Sequence, residues 1–223
     1  MTDNQRILTI IDKNNDLHRV LGNLASLTIV RGLDYLVPLI TLPYLVRVLG
    51  IEGFGLVNYA LSFALYFAAV MQYGFAITAV RKIAQDRDNP EKIAIVYSET
   101  MTAIMLLVVA CALIYFPVVL FVDSFYQHFW LYTFSFAFVF AQALFPLWFF
   151  RGMERMRQSA VISITSKLSM LIGMFALIKN ESDYYLVPAL NAMAMAGCAV
   201  FSVFWISSRY KVSYKLPSLE RIK

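Results

Sequence analysis

The chain has 223 residues, of which 60% are apolar and 15% charged, with a formal net charge of +5 and mean hydropathy of +0.66; soluble domains average about 25% charged residues. Lipid is therefore the solvent for most of it, which excludes a soluble globular enzyme, and about 20 apolar residues per crossing let six spans fill the chain. The positive balance is a signal of membrane topology, and no nucleic-acid partner is expected from it.

The first 20 residues form a mixed, polar cytoplasmic segment, with Asp3, Arg6, Asp12, Lys13, Asp16 and Arg19 around the short run ILTII. They lack the apolar core of a cleavable signal peptide, so the first span is expected to be retained. Apolar runs then predict an all-α, six-helix transmembrane lobe over 21–208, with spans near 24–49, 55–80, 94–121, 129–150, 159–178 and 184–207. The runs are mostly hydrophobic all round and are joined by short polar stretches, as membrane spans are. A basic tail over 209–223 completes the chain as a cytoplasmic end or the start of a linker.

Orientation follows from the basic residues, which stay on the cytoplasmic side. All but Arg31, Arg47, Lys167 and Lys179 of the 19 fall in the N-terminal segment, the second loop (Arg81, Lys82, Arg87, Lys92), the fourth loop (Arg151, Arg155, Arg157) and the tail. The intervening loops around Glu52, Asp123 and 181–183 carry acids. Both termini are thus expected in the cytoplasm, and the basic face has anionic membrane lipid within reach. Trp130 and Tyr132 at the outer ends, and Trp148, Phe149 and Phe150 at the inner ends, are expected to form interfacial belts. Cys111 and Cys198 fall inside apolar runs and read as two buried hydrophobes.

Ionisable groups inside spans are costly and mark cavities, partners or substrate paths. Arg31 lies 7 residues into the first span, about 10 Å along a helix, and Asp34 follows one turn later on the same face, so the two are placed to pair with each other. Lys167 is the ninth residue of the fifth span, near mid-membrane, with Ser163, Ser166 and Met170 on its side. The alternative for the first pair is a structural ion bridge, and for Lys167 snorkelling toward an interface. Arg47 and Glu99 lie closer to the membrane boundaries and are weaker candidates. Gln72, Gln142 and Asn191 are of the kind that hydrogen-bond between helices. Pro38 and Pro43 in the first span are expected to bend it.

No phosphate-binding G-x-x-x-x-G-K-[ST], no H-E-x-x-H and no G-x-S-x-G occurs. The only histidines, His18 and His128, lie outside the spans, so neither a metal site nor any other cofactor is expected. A membrane enzyme acting on a polyprenyl phosphate would need acidic pairs for its metal, and Asp86 with Asp88 is the one close pair in the cytoplasmic loops.

The stretches PLITLPYLVRVLG at 38–50, EGFG at 52–55, YGFAITAVRKIAQDRDNPEK at 73–92 and FPLWFFRGMERM at 145–156 resemble, in order and spacing, the O-antigen and capsule repeat-unit flippases of the multidrug/oligosaccharidyl-lipid/polysaccharide exporter superfamily. The resemblance runs over about 20–180. It implies a bacterial inner-membrane protein of two six-helix lobes around a central cavity, which moves an undecaprenyl-pyrophosphate-linked oligosaccharide to the periplasmic leaflet by alternating access. It implies a cationic cavity with arginine and aspartate on the first helix, matched by Arg31 and Asp34; Lys167 has no motif behind it. The activity implied is transport and not catalysis, with a proton or sodium ion as the coupling ion. The expected partners are the lipid-linked oligosaccharide, a second lobe or a second copy of the chain, and a polysaccharide polymerase and chain-length regulator. The alternative reading is a non-transporting scaffold that holds assembly enzymes at the basic cytoplasmic face.

Overall fold

The computed structural model describes the backbone of residues 3–72 and 74–210, and side chains from Thr28 to Arg209 other than those of Tyr73 and Ala76. The expected cytoplasmic segment 1–20 and the tail beyond Arg209, with their basic residues, lie outside the described side chains. Among the described residues the structure is helical throughout: α1 (Asp3–Met71), α2 (Phe75–Gln85), α3 (Pro90–Phe121), α4 (Asp123–Tyr126), α5 (Phe129–Leu144), α6 (Leu147–Gly152), α7 (Met156–Leu177), a 3-10 turn (Glu181–Tyr185) and α8 (Leu186–Tyr210). Among the described residues five helical stretches are long and apolar enough to cross a membrane, the first of them 44 residues from Thr28 to Met71. The chain is a polytopic all-α membrane protein.

That first stretch is twice a span's length, and it reverses on itself. Gly50 has φ 72° and ψ 170°, a conformation that a Cβ disfavours. Arg31 and Gln72 line one cavity, although 41 residues of unbroken helix would hold them about 60 Å apart. The arms 28–49 and 51–71 therefore run antiparallel. Pro38 and Pro43 both sit inside helical backbone, and the residue that leaves it is Gly50. The expected second span over 55–80 stops early, at Met71. Gly74, with φ 70°, turns the chain into α2, which buries Ala79 and Ile83 while Arg81 and Lys82 stay on its open side. Likewise the fourth span divides at Pro146, between α5 and α6.

With lipid outside, helix association relies on close packing and hydrogen bonds more than on expulsion of water. Ala60, Ala64 and Ala68 recur every four residues and are nearly inaccessible, so neighbouring helices approach closely along that row. One packed core joins them to Val57, Tyr115, Tyr132 and Val139, and the Tyr115 hydroxyl donates to the carbonyl of Tyr132 at 2.9 Å. A second core at the opposite end gathers Ile83, Tyr97, Trp148, Phe149, Phe150 and Ile206. Tyr132, Trp148, Phe149 and Phe150 are thus core residues and not the interfacial belts expected of them; Trp130, 62% exposed, remains on the surface. Cys111 and Cys198 are free thiols.

The connections sort to two ends. At one, Arg87 bridges Glu154 at 2.6 Å and its Nε donates to the Gly152 carbonyl at 2.8 Å, while Lys92 pairs with Asp86 at 2.6 Å. The turn at Asp88–Asn89 is closed by the Asn89 side chain, which accepts from the amides of Glu91 and Lys92 and starts α3 as an N-cap. At the other end Gly50 lies beside Glu181, Tyr59 packs on Phe125 and His128 meets Tyr184. The described basic loops thus share one end and the acidic connections the other, as the charge count expects.

Candidate functional site

Between the two cores a cavity of about 700 Å³ opens, lined by the inner arm of α1, by α5 and α6, by α7 and by α8. Its position follows from where side chains of opposite character meet: apolar faces of α1 and α7 pack toward Tyr44 and Ile178, whose hydroxyl and carbonyl bond at 2.6 Å, and lower down the same two helices turn polar residues toward each other. Arg31, Asp34, Lys167, Gln72 and Asn191 all line this space. So do Ser163, Ser166 and Met170, the residues that helical spacing places beside Lys167.

The pairing differs from the one read from the sequence. Asp34 forms a short ion pair with Lys167, across from α1 to α7, and the Lys167 ammonium also reaches the Val30 carbonyl at 3.4 Å. Among the described residues Arg31 has no ion-pair partner. An i, i+3 spacing allows the Arg31–Asp34 contact, but the carboxylate meets the lysine of a facing helix instead. The Lys167 side chain is 22% exposed and that of Asp34 42%, so the pair stands at the cavity wall. It is not sealed in protein.

Arg151, at the end of α6, also lines the cavity. Among the described residues Arg31, Arg151 and Lys167 face one acid, Asp34, which leaves two positive charges in excess in a space surrounded by low-dielectric protein. Such a field concentrates anions, and guanidinium forks with an ammonium point charge suit phosphate oxygens. The Trp148 indole Nε1, buried without a hydrogen-bond partner, belongs to the same wall. Arg47 is exposed on the outer part of α1 and Glu99 half-buried on α3; neither lines the cavity. Asn191 bonds the Val187 carbonyl of its own helix at 2.9 Å, so it does not bridge helices as expected. No group of three His, Cys, Asp or Glu side chains able to hold a metal ion occurs among the described residues.

Residues 20–223 match the family described as polysaccharide biosynthesis protein. The chain belongs to that family. It is 29% identical over 206 residues to an Escherichia coli (strain K12) protein named "Putative O-antigen transporter", covering 89% of this chain and 49% of the relative. A Shigella dysenteriae protein of the same name is 28% identical over 184 residues, covering 82% of this chain and 46% of the relative. The chain thus spans about half the length of these curated relatives. No solved structure matches it. Membership in the polysaccharide biosynthesis family bears out the resemblance carried by the stretches at 38–55, 73–92 and 145–156, and the relatives are named as transporters and not as enzymes.

The FPLWFFRGMERM stretch at 145–156 gains a structural account. Pro146 breaks α5 from α6, Gly152 lies against Ile83 of α2, where an added Cβ would come within 2.8 Å, and Arg155 stands over the Trp205 ring at 5.9 Å. These contacts hold the short α6 so that Arg151 lies at the cavity. Arg151 was assigned to the cytoplasmic loop on charge, and the signal that it does more is Pro146, which ends the span's helix before the aromatic triplet.

Proposed function

We propose that the chain is one lobe of a flippase that moves a lipid-linked oligosaccharide, an undecaprenyl-pyrophosphate O-antigen or capsule unit, across the bacterial inner membrane from the cytoplasmic to the periplasmic leaflet. The observation that carries this reading is the intramembrane cavity with excess positive charge, in which a cation of α7 is held by an acid of α1. A pyrophosphate crossing hydrocarbon needs compensating charge along its path; Arg31 and Lys167 offer it within the spans, and Arg151 offers it where α6 meets the basic-loop end. Six crossings with both ends in the cytoplasm fit the reversal at Gly50 and the segregation of basic and acidic connections. An even number of crossings lets a second lobe follow in the same orientation about an axis along the membrane normal. The relatives are about twice as long as this chain, and a second lobe or a second copy closes the cavity.

The Lys167–Asp34 pair ties α1 to α7, and anionic cargo competes with Asp34 for the lysine. Binding of cargo then loosens the tie between the two helices, which links occupancy to the rearrangement that alternating access requires, and the released Asp34 is the group available to a coupling proton or sodium ion. A scaffold role is less well supported, because Arg87 and Lys92 of the basic loops are already engaged by Glu154 and Asp86. The test is glycan export in a strain whose only flippase is the protein carrying this lobe. Arg31→Ala and Lys167→Ala abolish surface glycan at normal membrane levels of protein, whereas Arg47→Ala leaves it intact. Normal export in both cavity variants refutes the assignment.

A further inference from the structure

The outer end of the lobe carries a second concavity that the transport cavity does not use. Two connections build it: the α3–α5 connection with α4, and the 3-10 turn between α7 and α8. Together they border an open cleft of about 610 Å³ lined by Tyr126, Gln127, His128, Trp130, Tyr184 and Tyr185 among others. The connections are locked to each other by the His128 Nδ1 contact with the Tyr184 hydroxyl at 3.1 Å and by the edge-on packing of the two rings. The second connection is also rigid in itself. Asp183 accepts from the amides of Lys179 and Asn180, each at 2.9 Å, and a reciprocal cap with Asn180 fixes the turn, so Tyr184 and Tyr185 are held in place before any ligand arrives.

The lining is chemically mixed. Trp130 and Tyr126 are 62% and 61% exposed, Gln127 is exposed with an amide that both donates and accepts, and the tyrosine hydroxyls do the same. Interfacial anchoring needs aromatic rings at the right depth, but it needs neither a concavity nor an amide and two further phenols lining it beside the bonded His128–Tyr184 pair. Aromatic ring faces are electron-rich and attract the weakly positive axial C–H groups of a pyranose, while its equatorial hydroxyls seek amide and hydroxyl partners. A concave wall with a few placed polar groups is the form that small-ligand sites take.

We propose that this outer cleft is a carbohydrate subsite, with pyranose rings stacked on Trp130 and Tyr126 and their hydroxyls taken by Gln127 and Tyr185. It rests on the flippase reading for its setting: there it receives the sugar end of the cargo on the periplasmic side while the pyrophosphate is still near Arg31 and Lys167. The cleft is distinct from the cationic cavity in carrying no Lys or Arg among the described residues that line it, so it suits neutral saccharide better than phosphate.

The experiment is saturation-transfer NMR with the protein carrying this lobe in lipid nanodiscs and free methyl pyranosides (gluco, galacto and N-acetylgluco) as probes. Transfer to the ring C–H protons of at least one pyranoside is expected, reduced at least fivefold by Trp130→Ala and by Gln127→Ala and unchanged by Arg47→Ala, at a position that lines neither cavity. Gln127→Ala guards against a folding artefact, since it spares every aromatic ring that an interfacial anchor uses. Absence of transfer from the wild-type chain, or transfer that Trp130→Ala and Gln127→Ala leave intact, overturns the proposal. So does a Trp130→Ala chain that melts earlier in the bilayer yet still binds pyranoside, the outcome expected of an anchor alone. Pyranoside binding that persists while export ignores Arg31 and Lys167 would instead fault the flippase reading and leave the cleft standing.

Discussion

Replacing Asp34 with asparagine separates two effects that a purely structural ion pair would not separate. In the native chain the carboxylate occupies the Lys167 ammonium from across the cavity. Two unit charges about 4 Å apart attract by roughly 4 kcal/mol at an effective dielectric constant of 20. Partial exposure of both side chains and the desolvation of the charges reduce the net worth to about 1 kcal/mol. Asp34→Asn should therefore lower the thermal stability of the lobe slightly, because it unties α1 from α7. It should also raise the affinity for inorganic pyrophosphate about fivefold, since an anion no longer has to displace the acid and about 1.4 kcal/mol corresponds to a factor of ten. Calorimetric titration of the protein in nanodiscs measures the affinity, and repeating it in the Lys167→Met background closes the cycle. There the gain from Asp34→Asn should shrink to the weaker effect of the acid on Arg31 and Arg151. Unchanged or weakened pyrophosphate binding in Asp34→Asn, or a gain of equal size without Lys167, refutes competition between acid and cargo.

Three further outcomes are expected. Gly50→Ala places a Cβ on a residue at φ 72° and should cost about 1–2 kcal/mol, read as a lower melting temperature, while Gly55→Ala, with open space around its Cβ position, should not. Gly152→Ala drives a methyl group against Ile83 and should destabilise by about 1–3 kcal/mol; Ile83→Ala in the same chain should recover part of the loss, and a simple additive loss would contradict the packing described. Glu154→Ala removes the partner of Arg87, but both side chains are about a third exposed, so a change below about 1 kcal/mol in stability is expected, with a larger one pointing to a tighter role for this clamp.

The cost of charge in hydrocarbon picks out Arg31, Asp34 and Lys167 as candidates from the sequence alone, because depth along a span is countable from residue number. Which acid meets which base was not countable: Arg31 and Asp34 are neighbours on one helix, and the lysine that displaces that pairing comes from 133 residues away in sequence. Arg151 was hidden for a different reason. A basic residue after WFF at a span's end reads as a topology signal, and only the break at Pro146 and the contact of Gly152 with Ile83 place it at the cavity. The reversal at Gly50 was anticipated as a loop near Glu52, whereas the turn at Gly74 was overlooked because α2 is apolar on one face and continues the hydrophobic run. Trp148, Phe149 and Phe150 were read as a belt since composition does not tell a membrane-facing ring from one facing a neighbouring helix.

The most direct measurement is flux through the cavity. The protein carrying this lobe is reconstituted in proteoliposomes with a polyprenyl-pyrophosphate oligosaccharide, and transfer between leaflets is followed by lectin accessibility. The wild-type protein should carry the lipid across, Arg31→Ala and Lys167→Ala should each slow it at least tenfold, and Arg47→Ala, outside the cavity, should match wild type. Equal rates in all four proteins would contradict the account.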